Sequence, residues 1–360
     1  MKLSRILRPG PDGPSARLAA VRPDDGVVVD LVTAEIARLG REGASADAAR
    51  RLAHATFPAS TAAAIGGGPS FTSAAERALA GAGDDATFAF DDVTWTSPID
   101  PPIMLDGSAF EQHLVNAHAR GKREVPDTFY EVPVYYKMNP TTVVGHEATV
   151  PWPGGVGFMD YELELAIVIG AQGADLRPEE AWAHVFGLTV MNDFSARDVQ
   201  AREMLSGFGP AKGKDFATAL GPWITTVDEL PQGPLTMLAR VNGEEWSRGS
   251  TETLTWSLEE IVAYASLGEA VVPGEVIGTG TVGLGCGLEL FKKLRPGDVV
   301  ELEIDGIGTL RNVVGEPGAD PWVPTKKERR AEVTLPSKEL PSTERPSDDG
   351  PAKGAHRVAG

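Results

Sequence analysis

Cysteine is almost absent from this sequence, since Cys286 is the only one among 360 residues. A single cysteine excludes an internal disulfide and any metal site built from several cysteines. A chain without disulfides suits a reducing compartment, so we expect a cytoplasmic protein. No apolar run is long enough to span a bilayer, and the N-terminus lacks the apolar segment of a signal peptide. We therefore expect no contact with membranes.

Basic residues are also scarce: 33 lysines and arginines stand against 51 acidic residues, and the net charge is −18. No basic cluster is interleaved with aromatic residues, so we expect no nucleic-acid partner. Apolar residues make up 42% of the chain, which is enough for a substantial core. The length suits one large domain with a smaller one.

The first part of the chain, residues 1–95, has the pattern of a small separate domain. Two short strands flank a DDG turn, and the second of them is predicted to run from Val27 to Leu31. Ser45 is placed to cap an alanine-rich helix over 46–56, and SAAERALAGA predicts a second helix.

Strand-like runs dominate residues 96–323, and only two helices are predicted there, over 177–184 and 257–266. Ser257 and Glu260 match a capping box for the second of these helices. Many strands with few helices favour an α+β fold, rich in β structure, over a doubly wound sheet. Residues 324–360 lose the apolar pattern and predict a disordered tail.

The segment DYELELAIVIG combines a buried strand with acidic residues. Glu162 and Glu164 lie two positions apart, so both point to the same face of the strand. Two buried carboxylates repel each other and resist desolvation unless positive charge holds them. The alternative is that the first turn of the strand faces solvent.

Two further carboxylates end apolar runs, Asp193 in VMNDFSARDVQ and Asp106 in MLDGSAFEQHL. Oxygen ligands of this kind suit Mg²⁺ or Ca²⁺, which would supply the missing positive charge. The alternative for Asp193 is the N-cap of a helix that begins in SARDVQ.

A histidine near such a site is a candidate general base, and His113 follows Asp106 by seven residues. A histidine base needs an orienting carboxylate, for which Glu289 is a candidate. Lys214 lies among glycines that would admit a substrate, although it could equally be a surface lysine. Arg197 and Gln200 share the VMNDFSARDVQ segment and could face the same pocket.

Three motifs resemble, in order and spacing, the signature of the fumarylacetoacetate hydrolase superfamily. They are DYELELAIVIG, VFGLTVMNDFSARDVQ and GKDFATALGPW. The resemblance covers roughly residues 95–320. It implies a mixed β-sandwich roll with a small N-terminal domain that contains β-strands, assembled as a homodimer. It also implies a metal bound by Asp106, Glu162, Glu164 and Asp193, which would be Mg²⁺, Ca²⁺ or Mn²⁺.

The resemblance extends to the fumarylacetoacetase-like branch, in which a histidine follows the metal-binding aspartate at the spacing of Asp106 and His113. GTGTVGLGCGLEL resembles the stretch that carries the histidine's orienting glutamate, which would be Glu289. Together these matches imply catalytic roles for His113, Glu289 and Lys214, and substrate contacts for Arg120, Tyr136, Arg197, Gln200 and Thr281. The chain departs from that branch in a shorter N-terminal part, in Gly107 and Ser108 where an aromatic residue stands, and in a shorter loop before Glu289.

The function implied is hydrolysis of a carbon–carbon bond in a β-diketo acid, fumarylacetoacetate or an acylpyruvate, by a water that His113 activates. Such a reaction belongs to the breakdown of aromatic amino acids. One alternative is a decarboxylase, isomerase or hydratase of 2-oxo acids from the same superfamily. Another is a member that binds a small molecule without turnover.

Overall fold

The computed structural model describes residues 1–10, 13–120 and 122–328, except for the side chain of residue 120. Contacts divide the chain into a compact unit, Met1–Asp320, and a second unit, Pro321–Gly360. In the second unit only residues 321–328 are described, and they carry no regular secondary structure. The predicted disordered tail therefore lies mostly outside the described residues.

Short runs of β-branched and other apolar residues, separated by turns, form the strands. In chain order the strands are β1 Lys2–Arg8, β2 Ser15–Arg22, β3 Val27–Asp30, β4 Thr87–Ala89, β5 Thr94–Thr96, β6 Met104–Gly107, β7 Tyr135–Lys137, β8 Val143–Val144, β9 Thr149–Trp152, β10 Met159–Asp160, β11 Leu163–Ile169, β12 Val185–Asn192, β13 Ser195–Ala196, β14 Thr218–Thr226, β15 Thr236–Val241, β16 Glu244–Ser250, β17 Val276–Gly278, β18 Val299–Ile304 and β19 Gly308–Pro317.

The described helices are fewer than the strands, and none of them is long and apolar enough to cross a lipid bilayer. In chain order they are α1 Leu31–Arg41, α2 Ala46–Thr56, α3 Thr61–Ile65, α4 Pro69–Ala80, α5 Glu111–Arg120, α6 Thr128–Glu131, α7 Pro178–Ala181, α8 Arg197–Met204, α9 Leu258–Ala265 and α10 Gly287–Leu290.

Helix caps explain where the predictions succeed and where they fail. Ser45 accepts a hydrogen bond from the backbone N–H of Ala48, and Ser257 forms the predicted capping box with Glu260. The strand predicted to reach Leu31 instead ends at Asp30, because the Asp30 carboxylate caps α1. Helix α4 begins before the predicted stretch because its first residue is a proline, which is tolerated at that position.

Strands β10 and β13 form a short two-stranded sheet, and the other described strands form two sheets that pack face to face. The larger has twelve strands with the central order β4-β3-β2-β1-β14-β12-β11-β17-β6-β7, and the smaller has the order β16-β15-β18-β19-β9. The main core lies between them, with Leu165 and Ile167 from β11 in the same cluster as Met237 from β15 and Leu302 from β18. This strand-rich α+β sandwich confirms the predicted fold class.

The N-terminal strands continue the larger sheet. Strand β1 pairs antiparallel with β14 at Lys2–Thr225 and Leu3–Ile224, and β5 pairs with β1. The separate N-terminal domain over 1–95 stays a prediction.

Strand direction brings distant segments to one edge of the larger sheet. Strand β11 is antiparallel to β12 and β17, and β17 is parallel to β6, with Gly278 opposite Asp106. The start of β11 therefore lies beside the ends of β12, β17 and β6. This arrangement gathers acidic residues from three segments of the sequence.

Candidate active site

The four predicted metal ligands lie together at this edge. Asp106, Glu162, Glu164 and Asp193 each offer an oxygen atom, and these oxygens lie within 4.8 Å of one another. The four side chains are buried, with Glu164 and Asp193 at 0% exposure. A solvent-facing start of β11 is therefore wrong. The N-cap alternative for Asp193 is also wrong, because Ala196 occupies the N-cap position of α8.

Two buried cations enter the carboxylate cluster. The Lys214 ammonium contacts the carboxylates of Glu162 and Asp193. The Arg197 guanidinium lies 2.8 Å from Glu162 Oε1. Lys214 is only 3% exposed, so the surface alternative for this lysine is wrong. Part of the positive charge that the acidic strand requires is thus supplied by the protein itself.

The two cations do not neutralise the four carboxylates equally, as the pKa values show. Burial, reinforced by the charge of Asp193, raises the pKa of Asp106 to about 7. Burial beside Asp106 raises the pKa of Glu164 well above its usual range, and burial raises the pKa of Asp193 to about 6. Burial opposes ionisation of Glu162 as well, but the two cations lower its pKa below the usual range. Asp106 and Glu164 are therefore the carboxylates that most lack positive charge.

Carboxylate oxygens that lack a hydrogen-bond donor indicate whether the cluster fits a metal ion. Asp106 Oδ1, Glu164 Oε2 and Asp193 Oδ1 are buried without a hydrogen-bond partner among the described residues. A Cβ atom at Gly278 would collide with Met191 Cε and would lie 2.6 Å from Asp106 Oδ1 and 3.0 Å from Glu164 Oε2, so glycine leaves this space to the methionine and the carboxylates. Buried oxygens without donors are the ligands that a hard divalent cation prefers. The residues present therefore fit such a cation.

A histidine–glutamate pair lies nearby. His113 Nδ1 lies 2.9 Å from Glu289 Oε2. Glu289 Oε1 accepts hydrogen bonds from Asn116 Nδ2 at 2.8 Å and from the backbone N–H of Leu284 at 2.9 Å. Burial would raise the pKa of Glu289, but the hydrogen bonds from His113 and these donors hold it below its usual value. The carboxylate can therefore orient the imidazole.

A cavity of about 460 Å³ joins the carboxylate cluster to His113. Its polar lining includes Asp106, His113, Tyr136, Glu162, Glu164, Gln200, Lys214 and Thr281. The lining also contains apolar side chains, including Leu114, Phe129 and Met204. The cavity can therefore hold a small molecule that carries both polar and apolar groups.

The predicted substrate contacts occupy different places. Tyr136 Oη donates a hydrogen bond to Asp193 Oδ2 at 2.5 Å, and Thr281 Oγ1 donates to Glu164 Oε1 at 3.2 Å. Gln200 lines the cavity and accepts a hydrogen bond from Arg197.

One of the predicted contacts, Arg197, is not among the residues that line the described cavity. Arg197 is buried among Asp160, Glu162 and Gln200, where it braces the carboxylates. The side chain of Arg120 lies outside the described residues, so its role stays a prediction.

Two residues of the site, Asp160 and Asn116, were not predicted from the sequence. Asp160 accepts hydrogen bonds from Arg197 Nε at 2.8 Å and from the backbone N–H groups of Gly287 and Leu288. Its position two residues before Glu162 was an available signal, because period-two spacing places it on the same face. Asn116, which holds Glu289, follows His113 by three residues and so lies on the same side of α5.

Comparison with solved structures supports the fold. The fumarylacetoacetate hydrolase of Exiguobacterium antarcticum aligns with a TM-score of 0.65 and 26% identity over 88% of this chain and 99% of that chain. Maleylpyruvate hydrolase from Sphingobium sp. SYK-6, solved with manganese(II) and pyruvate, aligns with a TM-score of 0.64 and 22% identity over 88% and 100%. At that lower identity the second likeness concerns the fold alone.

Sequence comparison identifies the family. Oxaloacetate tautomerase YisK of Bacillus subtilis is 34% identical over 234 residues, which cover 63% of this chain and 75% of the relative. The family model for the fumarylacetoacetate (FAA) hydrolase C-terminal domain matches residues 102–315, more than half of the chain. The resemblance read from the three motifs is confirmed, and this chain belongs to the fumarylacetoacetate hydrolase superfamily of enzymes.

Proposed function

We propose that this protein is a metal-dependent hydrolase that cleaves a carbon–carbon bond in a β-diketo acid, fumarylacetoacetate or an acylpyruvate. The observation that carries the proposal is that His113, paired with Glu289, lines the same cavity as the carboxylate cluster. Hydrolysis needs a base that activates water beside a polarised carbonyl group, and this pairing supports His113 as that base.

The proposed ligands of the divalent cation are Asp106, Glu162, Glu164 and Asp193, and the ion is Mg²⁺, Ca²⁺ or Mn²⁺. When bound, the cation would act as a Lewis acid toward the diketo oxygens. Lys214 and Arg197 keep Glu162 ionised, since their charges lower the pKa of that carboxyl group. The chain therefore holds at least one ligand in its metal-binding form before an ion arrives.

His113 is the proposed general base. The Nδ1–H group donates to Glu289, which leaves Nε2 to accept a proton from water. The water oxygen attacks the carbonyl carbon, the bond between the two carbons breaks, and the electron pair remains on the leaving fragment, which then takes up a proton. Lys214 and Gln200 line the cavity as donors toward the charge that develops.

Substrate binding is assigned to the remaining lining residues. We propose that Tyr136 and Thr281 contact the substrate where it meets the carboxylates, and that Arg120 pairs with its carboxylate. Arg197 is assigned to bracing Asp160 and Glu162, because all its described contacts are to neighbouring protein groups.

A tautomerase or another 2-oxo acid enzyme is the second candidate. The observation that favours it is the 34% identity to a protein named oxaloacetate tautomerase. Tautomerisation needs a group that removes and returns a proton on the substrate, and His113 could serve without activating water. A decarboxylase would use the same ligands and needs no base.

One experiment separates the candidates. The purified protein is stripped with EDTA, reloaded with Mg²⁺ or Mn²⁺, and assayed for loss of diketone absorbance with fumarylacetoacetate and acylpyruvates and for enol–keto exchange or CO₂ release with oxaloacetate. Metal-dependent formation of two acids from a diketone supports the hydrolase. Turnover of oxaloacetate alone would replace it with the second candidate.

The resemblance implies a homodimer and the scarcity of cysteine favours the cytoplasm, and we retain both as proposals. Sedimentation equilibrium at micromolar concentration measures the mass directly. A mass of twice 38.0 kDa is expected, and a monomer mass would contradict the dimer.

A further inference from the structure

One carboxylate oxygen beside the cavity is shared by two different metal-binding side chains. Glu289 Oε2 lies 2.9 Å from His113 Nδ1 and 3.2 Å from Cys286 Sγ. The nitrogen, the sulfur and the oxygen all lie within 4.8 Å of one another. The proposed reaction uses the histidine and the glutamate but leaves the thiol without a role.

We propose that His113, Cys286 and Glu289 form a second metal site, selective for a thiophilic divalent cation such as Zn²⁺, and that an ion bound there inhibits the enzyme. Imidazole nitrogen, thiolate sulfur and carboxylate oxygen are the three ligand types that zinc binds in proteins. Three protein ligands would leave a fourth position for water. The carboxylate cluster offers only oxygen, so the two sites differ in chemical softness.

The present geometry is close to what a tetrahedral ion requires. Zinc lies about 2.0–2.1 Å from nitrogen or oxygen ligands and about 2.3 Å from sulfur, which gives ligand–ligand separations of roughly 3.4–3.6 Å. The two separations from Glu289 Oε2 are 2.9 and 3.2 Å, so these two pairs need to open by about half an ångström, and the third pair, His113 Nδ1 and Cys286 Sγ, lies within 4.8 Å.

Neighbouring groups already prepare Glu289 for this task. Its other oxygen, Oε1, is held by Asn116 Nδ2 and by the backbone N–H of Leu284, so Oε2 is the oxygen left to an ion. Supporting hydrogen bonds of this kind orient metal ligands. His113 lines the cavity and gives the ion an entry path, although Cys286 itself is fully buried.

Binding would remove the proposed base. Burial raises the pKa of the Cys286 thiol, so without an ion the group is a neutral thiol that donates to Glu289. On binding, the thiol proton passes to solvent and sulfur coordinates as thiolate. The ion takes the lone pair of His113 Nδ1, and the ring proton moves to Nε2. With a proton already on Nε2, the imidazole can no longer accept one from water.

Because Cys286 is the only cysteine, any metal–thiolate signal from this protein reports this site. Full-length protein with Mg²⁺ in excess is titrated with Cd²⁺, and the ultraviolet absorbance of the Cd²⁺–thiolate bond is recorded. One equivalent of thiolate signal is expected in the wild type and none in Cys286→Ser. Absence of the signal in wild-type protein would overturn the proposal. This readout needs no turnover, so it stands apart from the test of the hydrolase.

Inhibition is measured with Zn²⁺ under the same excess of Mg²⁺, on whichever substrate the enzyme turns over. Cys286→Ser should weaken inhibition, relative to its own rate without Zn²⁺, by at least about tenfold, since loss of even a supporting residue costs about 10–100-fold in metal affinity. Equal sensitivity of wild type and variant would assign the inhibition to the carboxylates and overturn the proposal. Should Cys286→Ser not fold, Asn116→Ala replaces it: a weaker Cd²⁺–thiolate signal supports the site, and an unchanged affinity contradicts it.

Discussion

Arg197 and Glu162 form a buried ion pair, with Nη1 2.8 Å from Oε1 and with side chains that are 6% and 5% exposed. The same guanidinium reaches Asp160 through Nε. A buried charge is costly unless it is paired, so this arginine stabilises the ionised forms of both carboxylates. The stability of the fold and the chemistry of the candidate site therefore depend on one side chain.

Replacing this arginine should destabilise the protein strongly. Arg197→Met leaves Asp160 and Glu162 short of positive charge, and removal of one partner of a buried pair costs about 3–5 kcal/mol. Urea unfolding of the metal-free protein measures the loss. The matched control is Arg248→Met, because Arg248 forms a solvent-exposed pair with Glu245, and solvent screens such a pair strongly. Equal losses in the two variants would contradict the bracing role.

Removal of the proposed base should separate chemistry from metal binding. His113→Ala is expected to lower kcat by about 10²–10⁴-fold, the usual contribution of a general base. The affinity for Mg²⁺, measured by calorimetry, should stay within a few-fold of the wild-type value, since His113 is not one of the four clustered carboxylates. His54→Ala is the control, because this exposed histidine lies on α2. An undiminished kcat in His113→Ala would remove His113 from the mechanism.

Gly278 should tolerate no side chain. In Gly278→Ala the new Cβ would collide with Met191 Cε and would lie 2.6 Å from Asp106 Oδ1 and 3.0 Å from Glu164 Oε2, so the methionine and the carboxylates must shift. We expect the increase in melting temperature caused by Mg²⁺ or Mn²⁺ to disappear. Gly40→Ala provides the control: Gly40 lies in α1, nothing lies within 4 Å of its Cβ position, and alanine should stabilise the helix by up to about 1 kcal/mol. A full metal-induced shift in Gly278→Ala would show that the carboxylates do not need this space.

The metal-free protein should lose stability as pH rises. The folded-state pKa of Asp106, about 7, lies above the unfolded value near 3.9, so the folded protein binds more protons between them. Stability from this group is complete below about pH 4 and is lost as pH rises through about 7, by an amount on the order of 4 kcal/mol.

Comparison with Asp106→Asn isolates this contribution from other titrating groups. In EDTA, the free energy of unfolding of the wild type should fall relative to that of the variant as pH rises from 4 to 8. Added Mg²⁺ should restore the wild type at pH 8, because the ion replaces the lost protons. A difference that does not change with pH would contradict the raised pKa.

Local sequence patterns determined much of this protein. The period of two in DYELEL puts Glu162 and Glu164 on one face, since strand side chains alternate. Ser45 and Ser257 cap the helices that follow them, as their hydroxyl groups predicted. The three motifs sufficed for the family. Each of these inferences depends on residues close together in the chain, where backbone geometry alone sets the spacing.

Tertiary structure decided which charges meet. Asp106 approaches Glu164 only because β6 and β17 are parallel and β17 is antiparallel to β11, a pairing that joins segments distant in sequence. The same packing buried Lys214 and Arg197 among the carboxylates. From the sequence alone, these two residues were only candidates to face the pocket. It also placed Cys286 against Glu289. Burial and long-range register set these contacts, and neither is encoded in the spacing of residues along a single strand or helix.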